Sequence, residues 1–164
     1  MAEIGPIEIL SLRLLIGLPF LALVVVLRRA SLRFRRDDAI PILMGGTIFA
    51  FHLIIQISGL ITATAVTTSW IITVSPLATA VLSFLFLRER ITRGTVTGIG
   101  IATTGVLLLV SDGNLSDIGW LRSTGDWLIL ASAHTWAFYT IVTRNLARRR
   151  DPLAVTFAVM LIAG

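Results

Sequence analysis

Long apolar runs separated by short polar clusters divide this chain, and the first is nearly unbroken from about residue 7 to residue 27. About twenty residues at 1.5 Å per residue span about 30 Å, the hydrocarbon thickness of a bilayer. Similar runs cover about 39–62, 65–87, 91–110 and 125–142, and a shorter one starts at Pro152 and covers 152–164. The runs are continuous rather than alternating, and a barrel strand needs only about ten residues to span, so helices are expected. The pattern predicts an all-α membrane protein, a polytopic helical bundle.

Composition agrees with the pattern. Hydrophobic residues make up 55% of the 164 positions, charged residues only 14%, and the mean hydropathy is +0.91, outside the range of ordinary soluble domains. Without cysteine there is no disulfide framework and no thiolate metal site. The net charge of +5 does not indicate nucleic acid, because lysine is absent and all the arginines but Arg13 and Arg122 sit in short clusters between apolar runs. Those clusters at 28–38, 88–93 and 143–151 hold five, three and four arginines and fall in every second loop. Arginine-rich loops favour the cytoplasmic side, so these three are assigned inside and the protein to a cell membrane, the inner membrane of a bacterium. The intervening segments, 62–64 and 111–126, carry no charge and mostly acidic charge respectively, and are assigned outside. This puts the N-terminus outside, with no positive residue before Arg13. A preceding helix would explain that, and the short last run would span only if more chain followed, so a piece of a longer protein is expected. A complete short protein with a re-entrant last segment is the alternative.

The stretch from Thr67 to Val110 organises the rest: Ser75-Pro76 in mid-span, the hinge Arg88-Glu89-Arg90, then Gly98 and Gly105-Val106. This hairpin resembles the signature of EamA-like domains in the drug/metabolite transporter superfamily, and Arg13, Trp136-Ala137 and Arg144 with the basic tail also fit. The resemblance implies a fold of two inverted five-helix repeats that moves small metabolites, often outward. On that pattern residues 1–112 are a first repeat lacking its first helix, 113–124 an external loop and 125–164 the start of a second repeat. A weak internal match between the segments beginning Gly5-Pro6 and Asp151-Pro152 points the same way. The two segments run in opposite directions across the membrane, as inverted repeats require.

Several polar residues at membrane depth are candidates for a substrate cavity. Pro76 removes a backbone hydrogen bond at the centre of its span and frees the carbonyl of Ile72, with Thr73, Ser75 and Thr79 near enough to compensate. The result is either a flexible cavity lining or an ordinary kinked packing helix. His52 and Gln56 share one helical face, continued by Gly45 and Gly59. His52 either couples protons to transport or is a neutral histidine bonded to a neighbouring helix, and the second reading is favoured because no acidic residue accompanies it at that depth. Arg13 either snorkels to the outer interface or faces inward toward an anionic group. Trp136 and Tyr139 share a face with Ser132 and Thr143 and are candidates to contact the apolar or cationic parts of a ligand. Gly94, Gly98, Ala102 and Gly105 recur at helical spacing and are expected to form a helix-packing face, joining two repeats or two chains.

The sequence holds no phosphate loop, zinc-protease motif or nucleophile elbow. Scattered serines and isolated histidines give no catalytic residue, so an enzyme is not expected, and neither a metal nor a cofactor is implied. The reading is a gradient-driven exporter of small metabolites or drugs that works by alternating access. Its partners are the lipid bilayer, a small-molecule substrate, and a second copy or the missing second repeat, not nucleic acid. The competing reading is a truncated or regulatory membrane chain that packs against a partner and transports nothing alone.

Overall fold

A computed structural model describes residues 5–73, 75–87, 92–110 and 123–164. These form seven α-helices and no strand: α1 (Pro6–Leu27), α2 (Ala39–Leu60), α3 (Ala65–Thr73), α4 (Ser75–Leu87), α5 (Arg93–Val110), α6 (Thr124–Arg149) and α7 (Pro152–Ala163). The hinge at 88–90 and most of the external loop expected at 113–124 lie outside the described residues, as does residue 74 between α3 and α4.

Local chemistry sets most of the helix ends. After α1 the chain turns through Arg29, whose φ of 50° is left-handed. The Ala30 and Arg29 N–H groups reach back to the Val25 and Val26 carbonyls, which closes the helix end. Ahead of α2, in a short 3₁₀ turn over Arg36–Asp38, the Asp38 carboxylate accepts the Arg35 N–H at 2.7 Å. The Thr92 hydroxyl accepts the Thr95 N–H at 3.2 Å and starts α5. Ser123 and Asp126 form a reciprocal capping box at the head of α6. Asp151 caps α7 by accepting the Leu153 N–H at 2.9 Å, with Pro152 at the first helical position.

One expected boundary is corrected. The helix predicted over 125–142, followed by a basic loop at 143–151, instead runs from Thr124 to Arg149, so most of that loop is helix. Nothing between Val142 and Arg149 breaks a helix, and Arg148 and Arg149 in the last turn complement the negative end of the helix dipole. At 26 residues α6 is about 39 Å long, longer than the hydrocarbon layer, so its arginine-rich end extends past the apolar region.

The bundle is built on the antiparallel pair α2 and α6, with α7 against α2 and α4 against α6. Ile42, Phe49 and Leu53 of α2 bury with Leu146 of α6 and Val155 and Val159 of α7. Glycines on α2 allow close approach at both ends of the pair. A Cβ added at Gly46 would stand 2.6 Å from the Ile162 side chain, and one at Gly45 would stand 2.6 Å from Thr143 Cγ2. At the other end Gly59 and Gly125 face each other, and a Cβ on Gly125 would run into the Gly59 carbonyl. The packing face expected on α5 is not where helices meet among the described residues: a Cβ on Gly98 or Gly105 would have no neighbour within 4 Å, and Gly94 would meet only Thr92 of its own segment. Ala102 is also exposed.

The outer faces fit a bilayer. Helices α1 and α2 are long and apolar enough to cross one. On α1, Ile7, Leu15 and Leu27 are each more than 70% exposed, a surface that water would penalise and lipid would not.

Candidate functional site

The face of α2 that carries Gly45, His52 and Gln56 meets the face of α6 that carries Ser132, Trp136, Tyr139 and Thr143. His52 is buried at 5% exposure, and its Nδ1 lies 2.9 Å from the Ser132 carbonyl and 3.2 Å from Thr135 Oγ1. A carbonyl can only accept, so Nδ1 carries the proton and the ring ties α2 to α6. Thr135 itself donates to the same Ser132 carbonyl at 2.8 Å.

Around this tie the rings form a cluster. Phe49 stacks on His52 with centroids 6.1 Å apart, Trp136 tilts against His52 at 5.3 Å and against Tyr139 at 5.5 Å, and Phe49 meets Tyr139 at 5.2 Å. Trp136 remains 40% exposed because its indole borders open space rather than the core.

That space consists of two clefts. One, of about 500 Å³, is lined by Arg13, Phe49, His52, Gln56, Ser75, Pro76, Ser132 and Trp136, with Leu53, Ile72 and Ala133. The other, of about 840 Å³, runs between α4 and α6 and is lined by Ser75, Pro76, Thr79, Ser83, Trp136 and Tyr139, and by Thr140, Thr143, Arg144 and Arg148 further toward the basic end. Ser75, Pro76 and Trp136 border both. The structure therefore gathers Arg13, His52, Gln56, Ser75, Pro76, Thr79, Trp136 and Tyr139 around two clefts that share those three residues, although they come from four helices. The side chain of Thr73 lies outside the described residues. Arg13 borders the first cleft while remaining exposed on α1.

Sequence reasoning missed the inner end of the larger cleft. Arg144 donates from Nη1 to the Ser83 hydroxyl at 3.2 Å and links α6 to α4. Ending the helix at residue 142 put Arg144 in a loop. Continued helix puts it four residues after Thr140 on the face of Trp136, and that spacing was the available signal. Hydroxyls along the clefts are turned to their own helices: Thr79 donates to the Ser75 carbonyl, Thr140 to the Trp136 carbonyl and Thr143 to the Tyr139 carbonyl. Among the described residues no group of three or more metal-ligating side chains comes together.

An all-helical bundle with lipid-suited outer faces around a polar, aromatic-lined cleft fits a polytopic membrane protein. Residues 1–111 match the EamA-like transporter family, and the chain belongs to it. Among similar proteins is YyaM, an uncharacterized transporter of Bacillus subtilis, 32% identical over 79% of this chain and 43% of its own length. An uncharacterized transporter of Archaeoglobus fulgidus is 27% identical over 98% of this chain and 55% of its own. A protein of Chlamydia trachomatis named an S-adenosylmethionine/S-adenosylhomocysteine transporter is 26% identical over 100% of this chain and 52% of its own. The chain thus spans about half the length of these curated relatives. No solved structure matches it.

Proposed function

We propose that this chain supplies one wall of the solute path of a secondary transporter that exports small organic metabolites by alternating access, driven by a solute or ion gradient. The observation that carries the reading is the meeting of two clefts at Ser75, Pro76 and Trp136, with polar residues from α1, α2, α4 and α6 around them. Transporters of inverted-repeat design bind cargo at this depth, where irregular or proline-containing helices border a cavity. The arginine-rich segments at residues 28–38 and 143–151 are taken as cytoplasmic, and the capping box at Ser123 and Asp126 as external. The bare small-residue face of α5 favours assembly with a second copy or with another segment of the same transporter, which would complete the path.

The test is solute counterflow into proteoliposomes holding the protein encoded by the complete reading frame. S-adenosylhomocysteine and S-adenosylmethionine are the first solutes to try, because the chlamydial relatives carry those names. Accumulation above that of protein-free vesicles, cut at least about tenfold by Trp136→Ala, is the expected result. Accumulation across a broad metabolite panel no higher than in protein-free vesicles would favour the non-transporting alternative.

A further inference from the structure

The five arginines between α1 and α2 line neither cleft, and the structure gives them a setting of their own. Arg28, Arg29, Arg33, Arg35 and Arg36 are all exposed, and their side chains make no hydrogen bond or ion pair among the described residues. Of the two carboxylates in the same segment, Asp38 is committed to Arg150, and only Asp37 remains to oppose the five guanidinium groups. The segment begins where the apolar layer ends: α1 is long and apolar enough to cross a bilayer and stops at Leu27, one residue before the first arginine. We infer that this segment is a binding site for an anionic phospholipid, its phosphate held by the arginines between α1 and α2 and its acyl chains lying along the exposed apolar end of α1. The inference goes beyond the transporter reading and does not depend on which solute is carried.

Three observations support it. The segment is fixed to the bundle in advance. At its start the Ala30 N–H reaches the Val25 carbonyl at 3.0 Å, toward its end the Arg35 N–H donates to the Asp38 carboxylate at 2.7 Å, and between them Phe34 packs half-buried against the core of α2, α6 and α7. Backbone that is already ordered loses little entropy on binding. The guanidinium groups also suit a phosphate, because each offers a fork of N–H donors that grips two oxygens, and basic side chains beside an anionic surface each add about fivefold to binding. The apolar neighbours then select a lipid over a free phosphate. Val26 and Leu27 are 71% and 72% exposed immediately before the arginines, and Leu32 is 49% exposed among them, so a headgroup held here has apolar surface for its chains close by.

The experiment titrates the full reading-frame protein, purified in detergent, with phosphatidylglycerol and with phosphatidylcholine of the same acyl chains, and counts bound lipid by native mass spectrometry. Phosphatidylglycerol should bind about tenfold more tightly than phosphatidylcholine. The preference should fall to about twofold or less in Arg33→Gln/Arg35→Gln and largely survive in Arg33→Lys/Arg35→Lys. Should the double glutamine variant fail to fold, Arg33→Gln alone should lower the preference about threefold. Glycerol 3-phosphate, which carries the phosphate without the chains, should leave bound phosphatidylglycerol in place at millimolar concentration. Equal binding of the two lipids, or a preference unchanged in the glutamine variants, would overturn the site. Displacement by glycerol 3-phosphate would overturn the lipid assignment in favour of a soluble phosphate ligand.

Discussion

The Arg150 guanidinium holds the Asp38 carboxylate by two nitrogens, Nε at 2.8 Å and Nη2 at 2.7 Å from the same Oδ2, across 112 positions of the chain. The contact joins the segment between α1 and α2 to the segment between α6 and α7. Two of the three arginine-rich segments therefore lie at one end of the bundle, as the arginine spacing requires. Asp38→Asn and Arg150→Gln should each lower the thermal midpoint of the detergent-solubilised protein by a few degrees, about 3 °C. The double variant should lose clearly less than the sum, and strict additivity in a melting series would show that the pair is not coupled.

The same carboxylate sets a pH dependence. The Arg35 N–H, then the Arg150 guanidinium with which it is paired, hold the Asp38 carboxyl below its ordinary value of 3.8. A lowered folded pKa means that the stabilisation is fully present above the ordinary value and is lost as pH falls through the lowered one. The gap between the melting midpoints of wild type and Asp38→Asn should narrow as pH is lowered from 6 to below 3.8. A gap that does not change with pH would show that ionisation of Asp38 is not its source.

Glycine substitutions separate the two kinds of small-residue surface. Gly125→Ala places a methyl against the Gly59 carbonyl and 2.5 Å from the Ala63 nitrogen, backbone that cannot rotate away. It should cost about 2 to 4 kcal/mol or prevent folding. Gly98→Ala meets open space within this chain and should leave the stability of the chain's own bundle unchanged or raise it by up to about 1 kcal/mol through better helix propensity. Comparison of the melting midpoints checks both, and a loss in Gly98→Ala confined to the assembled protein would be the mark of the proposed α5 contact.

His52 is predicted to act as a tie between helices. Its Nδ1–H is committed to the Ser132 carbonyl and no acidic residue lines its cleft among the described residues, so a proton-coupling role lacks the usual partner. His52→Ala should destabilise by about 1 to 3 kcal/mol through the lost bond and ring packing. His52→Gln, which can still donate, should keep most of the stability and most of the uptake driven by a pH gradient. Abolished gradient-driven uptake with intact solute exchange in His52→Gln would restore the coupling role.

The spans were legible because their signal is local: a run of about twenty apolar residues is its own evidence. So were the two faces that meet, since His52 with Gln56 and Trp136 with Tyr139 follow from helical spacing alone. What was not legible depended on partners far away in sequence. Both α2 and α5 carry glycines within apolar sequence, and only the bundle distinguishes Gly45, pressed against Thr143, from Gly98, which faces nothing described. Arg144 was misplaced because charge was taken as the end of a helix that in fact continues beyond the apolar layer, and the Asp38–Arg150 pair has no local pattern at all.

At one end α2 and α6 meet through backbone at Gly59 and Gly125, and at the other through the Asp38–Arg150 contact beside the buried Leu146. A pair of rods pinned at both ends cannot scissor apart in the middle. The His52–Ser132 bond adds a third pin near the centre. Any widening of the larger cleft must then come from its other wall, with α4 swinging against a fixed spine. Arg144 and Ser83 are the latch across that moving seam.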